Sequence, residues 1–334
     1  MTLSKAAAGL ELPGLRGPPT VKTRRTLKGH FGKVTSMHWG GDSRTLVTAS
    51  QDGNLLVWNA ISSNKLQSIS LKSSYVMSVG IEQSQGQLIA CGGLDNLCTV
   101  YRRGAGTAEA SATEMASHDG FLSCCRFLSQ EKLVTASGDS TCILWDIATA
   151  KPISTFAEHK ADVMFLSVFP DKKTFVSCSV DQTAKVWDTR APKASVMTFL
   201  GHTGDVNCVE VMPSEGSCFA TCSQDSTVRL FDTRAMNELQ KFSVPAPPSA
   251  NSGDEFMDTQ PDTFTSLSFS SSGRLIFCGH ADTNVYAFDT LSQRSSPVFT
   301  MPSAHERHVS CVGVSPSGAA LATGSWDSQV KIWA

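Results

Sequence analysis

The sequence predicts an all-β fold, a seven-bladed β-propeller of four-stranded repeats closed by an N-terminal strand. Three observations predict it. An aspartate stands six residues before a large aromatic seven times: Asp52 and Trp58, Asp95 and Tyr101, Asp139 and Trp145, Asp181 and Trp187, Asp225 and Phe231, Asp282 and Phe288, Asp327 and Trp333. These pairs recur every 42 to 45 residues, apart from one gap of 57. A histidine (His30, His118, His159, His202, His305) precedes Trp58, Trp145, Trp187, Phe231 and Trp333 by 27 to 29 residues. Such a period marks a WD repeat, four strands to a blade. Seven blades close a ring, which removes the open sheet edges that invite pairing with other chains.

The elements follow in order. Residues 1–20 read as a short disordered segment: Gly9, Pro13, Gly14, Pro18 and Pro19 limit any helix in Leu3–Leu12 to a turn or two. Residues 21–334 form the propeller. Val21–Leu27 is placed to add the outer strand of the last blade, because that blade's final strand ends at Trp333. In blade 1, Val34–Trp39, Thr45–Ala49 and Asn54–Trp58 read as strands, punctuated by Asp-Gly and Ser-Gly turns in this and later repeats. The 57-residue gap holds an inserted loop at 245–262, rich in Pro, Ser, Asp and Gly, which reads as solvated.

Within each blade the repeated residues predict a polar network. The turn aspartate accepts from the histidine ring. The histidine faces a strand hydroxyl, for which Ser50, Ser137, Ser179, Ser223 and Ser325 are the candidates, and that hydroxyl meets the tryptophan indole N–H. Buried polar groups persist only when partnered. Blades 1, 3, 4 and 7 should carry the full network. Blade 5 should carry a shortened one, because Phe231 has no N–H, and blades 2 and 6 lack the histidine.

Composition narrows the function. A net charge of −2 gives no overall field toward nucleic acid or acidic lipid. The basic run Lys22, Arg24, Arg25 and Lys28 reads as a solvated edge strand. Eleven cysteines, with no C-x-x-C pair, read as reduced thiols of a cytosolic protein packed as small hydrophobes; Cys124 and Cys125 should point to opposite faces of one strand. No apolar run reaches the roughly 18 residues of a membrane span. Neither a myristoylation nor a prenylation signal is present, so membrane attachment is expected only through lipidated partners.

Catalysis is not expected. The histidines and aspartates are spread one to a blade, whereas a zinc site draws its ligands to within about 2.3 Å of one ion. No nucleophile elbow, phosphate loop or H-E-x-x-H motif occurs. No cofactor is expected.

The surface is more informative. Just before the turn aspartates stand Gln51, Leu94, Gly138, Val180, Gln224, Ala281 and Trp326. They should ring the channel mouth on one face. Trp326 is too large for turn chemistry, so it reads as a partner anchor, or as a plug folded into the channel. A second ring comes from the inner strands: Lys33 and Thr35, Tyr75 and Met77, Phe121 and Ser123, Asp162 and Met164, Asp205 and Asn207. Aromatics, methionines and charges on one face suit several partners.

Several segments carry a resemblance beyond the repeat. TRRTLKGH (Thr23–His30), LVTASQDGNLLVW (Leu46–Trp58), ACGGLDN (Ala90–Asn96), FLSCCRFL (Phe121–Leu128), RLFDTRA (Arg229–Ala235) and ATGSWDSQVKIW (Ala322–Trp333) closely resemble the β subunit of heterotrimeric G proteins, in order and in every blade. The resemblance implies a non-catalytic signalling scaffold at the inner face of the plasma membrane. It would bind a γ subunit, hold the GDP-bound α subunit, and engage effectors through the same face once released. It implies α-subunit and effector contacts at Phe31, Lys33, Thr35, Tyr75, Met77, Leu94, Phe121, Asp162, Met164, Asp205, Asn207, Gln224 and Trp326. Thr35, Tyr75, Phe121 and Gln224 depart from the family's usual Tyr, Trp, Tyr and Asp, which implies weaker α binding. The family opens with a long helix that coils with the γ subunit, and residues 1–20 lack the heptads for it. The competing expectation is a WD-repeat adaptor that assembles complexes without a γ subunit.

Overall fold

The computed structural model describes residues 21–104, 112–245 and 263–334. The segment 1–20 and all but Pro245 of the 245–262 loop lie outside the described residues. No helix occurs among those described; they form seven four-stranded antiparallel sheets.

Each sheet runs outward from the channel in chain order, as in blade 1, with Val34–Trp39, Thr45–Ser50, Asn54–Asn59 and Asn64–Ser70. Blade 7 is the exception that closes the ring. Its outer strand is Thr23–Lys28, paired antiparallel to Gln329–Trp333. Lys22 and Ala334 exchange backbone hydrogen bonds at 3.2 and 3.3 Å beyond the strand end. The expected latch is therefore present, and Arg24, Arg25 and Lys28 along it are exposed.

Apolar packing fills every seam between neighbouring blades. Trp58, Leu27 and Ile332 meet in the blade 7–1 seam, and Trp187, Phe156 and Phe175 in the blade 3–4 seam. Cys125 packs on the blade 2 side of its strand and Cys124 on the blade 4 side, as the period of two requires. All eleven cysteines are unpaired and buried.

The seven inner strands share one irregularity. Register slips after the first residue of each: at Val34, Val76, Leu122, Val163, Val206, Phe264 and Val309. The second residue is thus a bulge, and a bulge re-aims its side chain. Ser123, Asn207, Thr265 and Ser310 use it to donate to the first carbonyl of the next blade, at Val163, Phe264, Val309 and Val34. These bonds stitch the ring around the channel.

Candidate protein-interaction face

The face is built by the turn aspartates. One carboxylate oxygen closes the local turn. Oδ1 accepts the N–H two residues on in every blade: Asn54, Leu97, Thr141, Thr183, Thr227, Asn284 and Gln329. The residue between takes positive φ in all seven: Gly53, Asn96, Ser140, Gln182, Ser226, Thr283 and Ser328. Only blade 1 uses glycine there, and the aspartate bond offsets part of the left-handed cost in the other six.

The second oxygen reaches across to the segment arriving from the preceding blade. Oδ2 of Asp52, Asp139, Asp181, Asp225 and Asp327 takes a histidine Nδ1 at 2.7 to 3.0 Å. It also takes the backbone N–H just after that histidine, at Phe31, Asp119, Lys160, Thr203 and Glu306. In blade 1 this fixes the backbone that holds Phe31, 93% exposed, on the face.

The network reaches inward, with one correction. The hydroxyl that bridges histidine and indole is not Ser50, Ser137, Ser179, Ser223 or Ser325. It lies two residues earlier, at Thr48, Thr135, Ser177, Thr221 and Thr323, each 2.7 Å from a histidine Nε2. Four of these hydroxyls also accept an indole N–H at 2.8 to 2.9 Å, from Trp58, Trp145, Trp187 and Trp333. The period of two puts both candidates on one face of the strand. The nearer serines sit at the strand end and accept the aspartate's own N–H instead. Blades 1, 3, 4 and 7 carry the full network, and blade 5 stops at Thr221.

Blade 6 solves the missing histidine locally, which repeat spacing did not reveal. His280 Nδ1 lies 2.9 Å from Asp282, and the Tyr286 hydroxyl donates to Asp282 at 2.5 Å.

Burial opposes ionisation of these aspartates, but the donors outweigh it. His118 and Thr141 hold Asp139 well below the carboxylate range, His159 and Thr183 do so for Asp181, and His202 and Thr227 for Asp225. Asp282 is brought down to about 2 by His280 and Tyr286. A carboxylate with a depressed folded value adds stability that is complete above its ordinary value of 3.8 and drains as pH falls through the folded one. The aspartates' share of the stability is therefore expected to stay intact down to about pH 4 and to be lost steeply toward about pH 2; melts at stepped pH below about 5 check this.

The two rings read from the sequence come together through one repeated bond. The residue before each turn aspartate donates its N–H to the residue that opens the inner strand of the same blade. Gln51 pairs with Lys33, Leu94 with Tyr75, Gly138 with Phe121, Val180 with Asp162, Gln224 with Asp205, Ala281 with Thr263 and Trp326 with His308, at 2.9 to 3.1 Å. Sequence reading missed Thr263 and His308. Counting 17 to 19 residues back from the turn position finds both.

Tyr75 (59% exposed), Leu94 (55%) and Trp326 (39%) join Phe31 as large apolar side chains at this rim, and Gln224 is exposed at the matching position of blade 5. Trp326 does not plug the channel. The Lys33 ammonium lies 3.8 Å from its ring centroid, and His308 packs edge-on at 4.7 Å. Phe121 lies on Gly138, where an added Cβ would come within 2.3 Å of the ring. Asp162 and Asp205 are half-buried. The second members of the predicted pairs are displaced from the flat face, because they are the bulge residues. Thr35, Met77, Ser123 and Met164 line the channel, and Asn207 is tied to Phe264.

No three metal-donor side chains converge among the described residues. A WD-repeat propeller with an apolar, charge-edged rim at its channel mouth belongs to the class of protein-interaction scaffolds. Comparison with known proteins refines the class. A family model described as "G protein beta WD-40 repeat protein" matches residues 1–334. The chain is 41% identical over 325 residues to the guanine nucleotide-binding protein subunit beta of Arabidopsis thaliana, covering 93% of this chain and 82% of that one. It is 40% identical over 324 residues to that of Oryza sativa subsp. japonica, with the same coverage. It is 40% identical over 336 residues to subunit beta-2 of Nicotiana tabacum, covering 96% and 86%. The chain belongs to the G protein β WD-40 repeat family and is a signalling scaffold of that kind.

Proposed function

We propose that this chain is the β subunit of a heterotrimeric G protein: it pairs with a γ subunit, holds a GDP-bound α subunit on the Trp326 face, and offers the same face to effectors after release. It does so without catalysis or cofactor, at the cytoplasmic side of the plasma membrane, anchored through lipidated partners. The observation that carries this reading is the joint exposure of Phe31, Tyr75, Leu94 and Trp326 at one rim of a chain of this family. Apolar groups so grouped on a propeller rim suit an interface core, where a few anchors supply most of the affinity. Trp326, Tyr75 and Leu94 are the anchors at the rim, and Met77 lines the channel inside it. Lys33, Asp162 and Asp205 set register and association rate through charge.

Co-expression with a γ subunit of the same organism tests the pairing. The expected result is one peak containing both chains on size-exclusion chromatography. A β chain eluting alone and folded would contradict it and would favour an adaptor that works without γ.

A further inference from the structure

Blade 2 lacks the upstream histidine and, unlike blade 6, has no histidine of its own to replace it. Backbone pairing shows which residue took the place. In the other five blades the histidine stands three residues before the carbonyl that accepts the N–H preceding the turn aspartate: His30 before Lys33, His118 before Phe121, His159 before Asp162, His202 before Asp205 and His305 before His308. In blade 2 that carbonyl belongs to Tyr75, so the place falls to Lys72. Strand register fixes the other members. Val79 pairs with Cys91 as Met37 pairs with Thr48, and Ile89 pairs with Tyr101 as Leu46 pairs with Trp58. Cys91 is the counterpart of the bridging hydroxyl, and Tyr101 of the indole.

Lys72 does not fill the histidine's space. Its side chain is 81% exposed and its ammonium pairs with Glu114 at the surface. The slot is instead a cavity of about 40 Å³, with Lys72, Cys91, Asp95, Thr99, Tyr101 and Glu114 in its lining. That is room for about three waters, or for one five-membered ring.

The polar groups of this slot have few partners among the described residues. Asp95 Oδ1 accepts the Leu97 N–H at 3.3 Å, and Oδ2 accepts nothing. Asp95 is exposed, whereas Asp52, Asp139, Asp181, Asp225 and Asp327 are half-buried under their histidines. The Cys91 thiol and the Tyr101 hydroxyl form no hydrogen bond there either, although these residues are only 4% and 7% exposed. Buried polar side chains are ordinarily partnered.

The slot thus presents a carboxylate acceptor at its mouth and two donors at its floor. In five blades the same positions grip an imidazole, with Nδ1 on the aspartate at 2.7 to 3.0 Å and Nε2 on the hydroxyl at 2.7 Å. A neutral imidazole carries an N–H and a lone pair on one flat ring, which matches an acceptor facing a donor. Tyr75, a rim anchor, also lines the cavity, so the slot adjoins the partner face.

We propose that the blade 2 slot binds the imidazole ring of an incoming ligand, with Asp95 accepting from one ring nitrogen and the floor, Cys91 and Tyr101, donating to the other. The site does not depend on the α-subunit reading, and small probes test it on the chain alone.

Melting of the full chain with rising imidazole, at about pH 8 where the free ring is mostly neutral, tests this, with acetamide in parallel. A saturable rise in melting temperature is expected with imidazole and none with acetamide. N-acetylhistidine methylamide binding more tightly than imidazole would identify a histidine side chain of a partner as the ligand, and weaker binding a free ring. Asp95→Asn, which removes the acceptor, should weaken binding about tenfold or more. Lys72→Ala, which changes only the exposed mouth, should retain it. Lys72→His places the chain's own ring in the slot, so this variant should melt higher than the wild type and no longer respond to imidazole. Should Asp95→Asn fail to fold, the Lys72→His response decides. A melt that imidazole leaves unchanged, an equal response to acetamide, unchanged affinity in folded Asp95→Asn, or a folded Lys72→His that responds like the wild type would overturn the proposal.

Discussion

Thr135→Val is expected to cost about 3 kcal/mol or more of folding stability, although it removes one hydroxyl and keeps the side chain's shape. That hydroxyl accepts the Trp145 indole N–H at 2.8 Å and faces His118 Nε2 at 2.7 Å. Because His118 Nδ1 donates to Asp139, Nε2 is the acceptor of the Thr135 proton. Valine strands two groups in a site closed to water: Thr135 and Trp145 are fully buried. Each stranded group costs about 1–3 kcal/mol. Blade 5 supplies the control. Thr221 occupies the same place beneath His202, but Phe231 stands where the indole would be. Thr221→Val strands one group, so it should cost less by the price of one indole N–H, about 1–3 kcal/mol. Chemical denaturation of both variants checks this. Equal losses would show that the indole bond contributes nothing.

Trp326→Ala is expected to weaken binding of a GDP-bound α subunit by about 2 kcal/mol, or roughly thirtyfold, while leaving the fold intact. Its ring is only partly sheltered and supports no seam between blades; its neighbours are Lys33 and His308 at the rim. Truncation also frees the Lys33 ammonium from its place over the ring, which lowers the order of the rim. Loss of affinity should therefore appear in the dissociation rate more than in association, since Asp162, Asp205 and Lys33 keep their charges.

Much of this molecule is legible in the chain. The interval of six between aspartate and aromatic survives because it spans one tight turn and one strand, neither of which tolerates insertion. The latch was legible because Trp333 leaves blade 7 one strand short. What escaped reading has identifiable causes. Thr48 and Ser50 share a face of their strand, so spacing alone could not say which meets Trp58; depth below the turn decides it. The spacing of Thr35, Met77 and Met164 reads as flat face, yet the bulge common to all seven inner strands turns them into the channel. Blade 6 hid its network because His280 and Tyr286 replace a distant histidine with two near neighbours of Asp282. His308 was overlooked although it is the ring that holds Trp326.

The most direct measurement is the affinity of a GDP-bound α subunit for the wild-type chain, paired with its γ subunit, against the Trp326→Ala form, made at one ionic strength. A partner face at Trp326 predicts a dissociation constant raised roughly thirtyfold in the variant with an unchanged melting temperature. Constants that coincide, with both proteins folded, would contradict it and would move the α-subunit contact away from the Phe31, Tyr75, Leu94 and Trp326 rim.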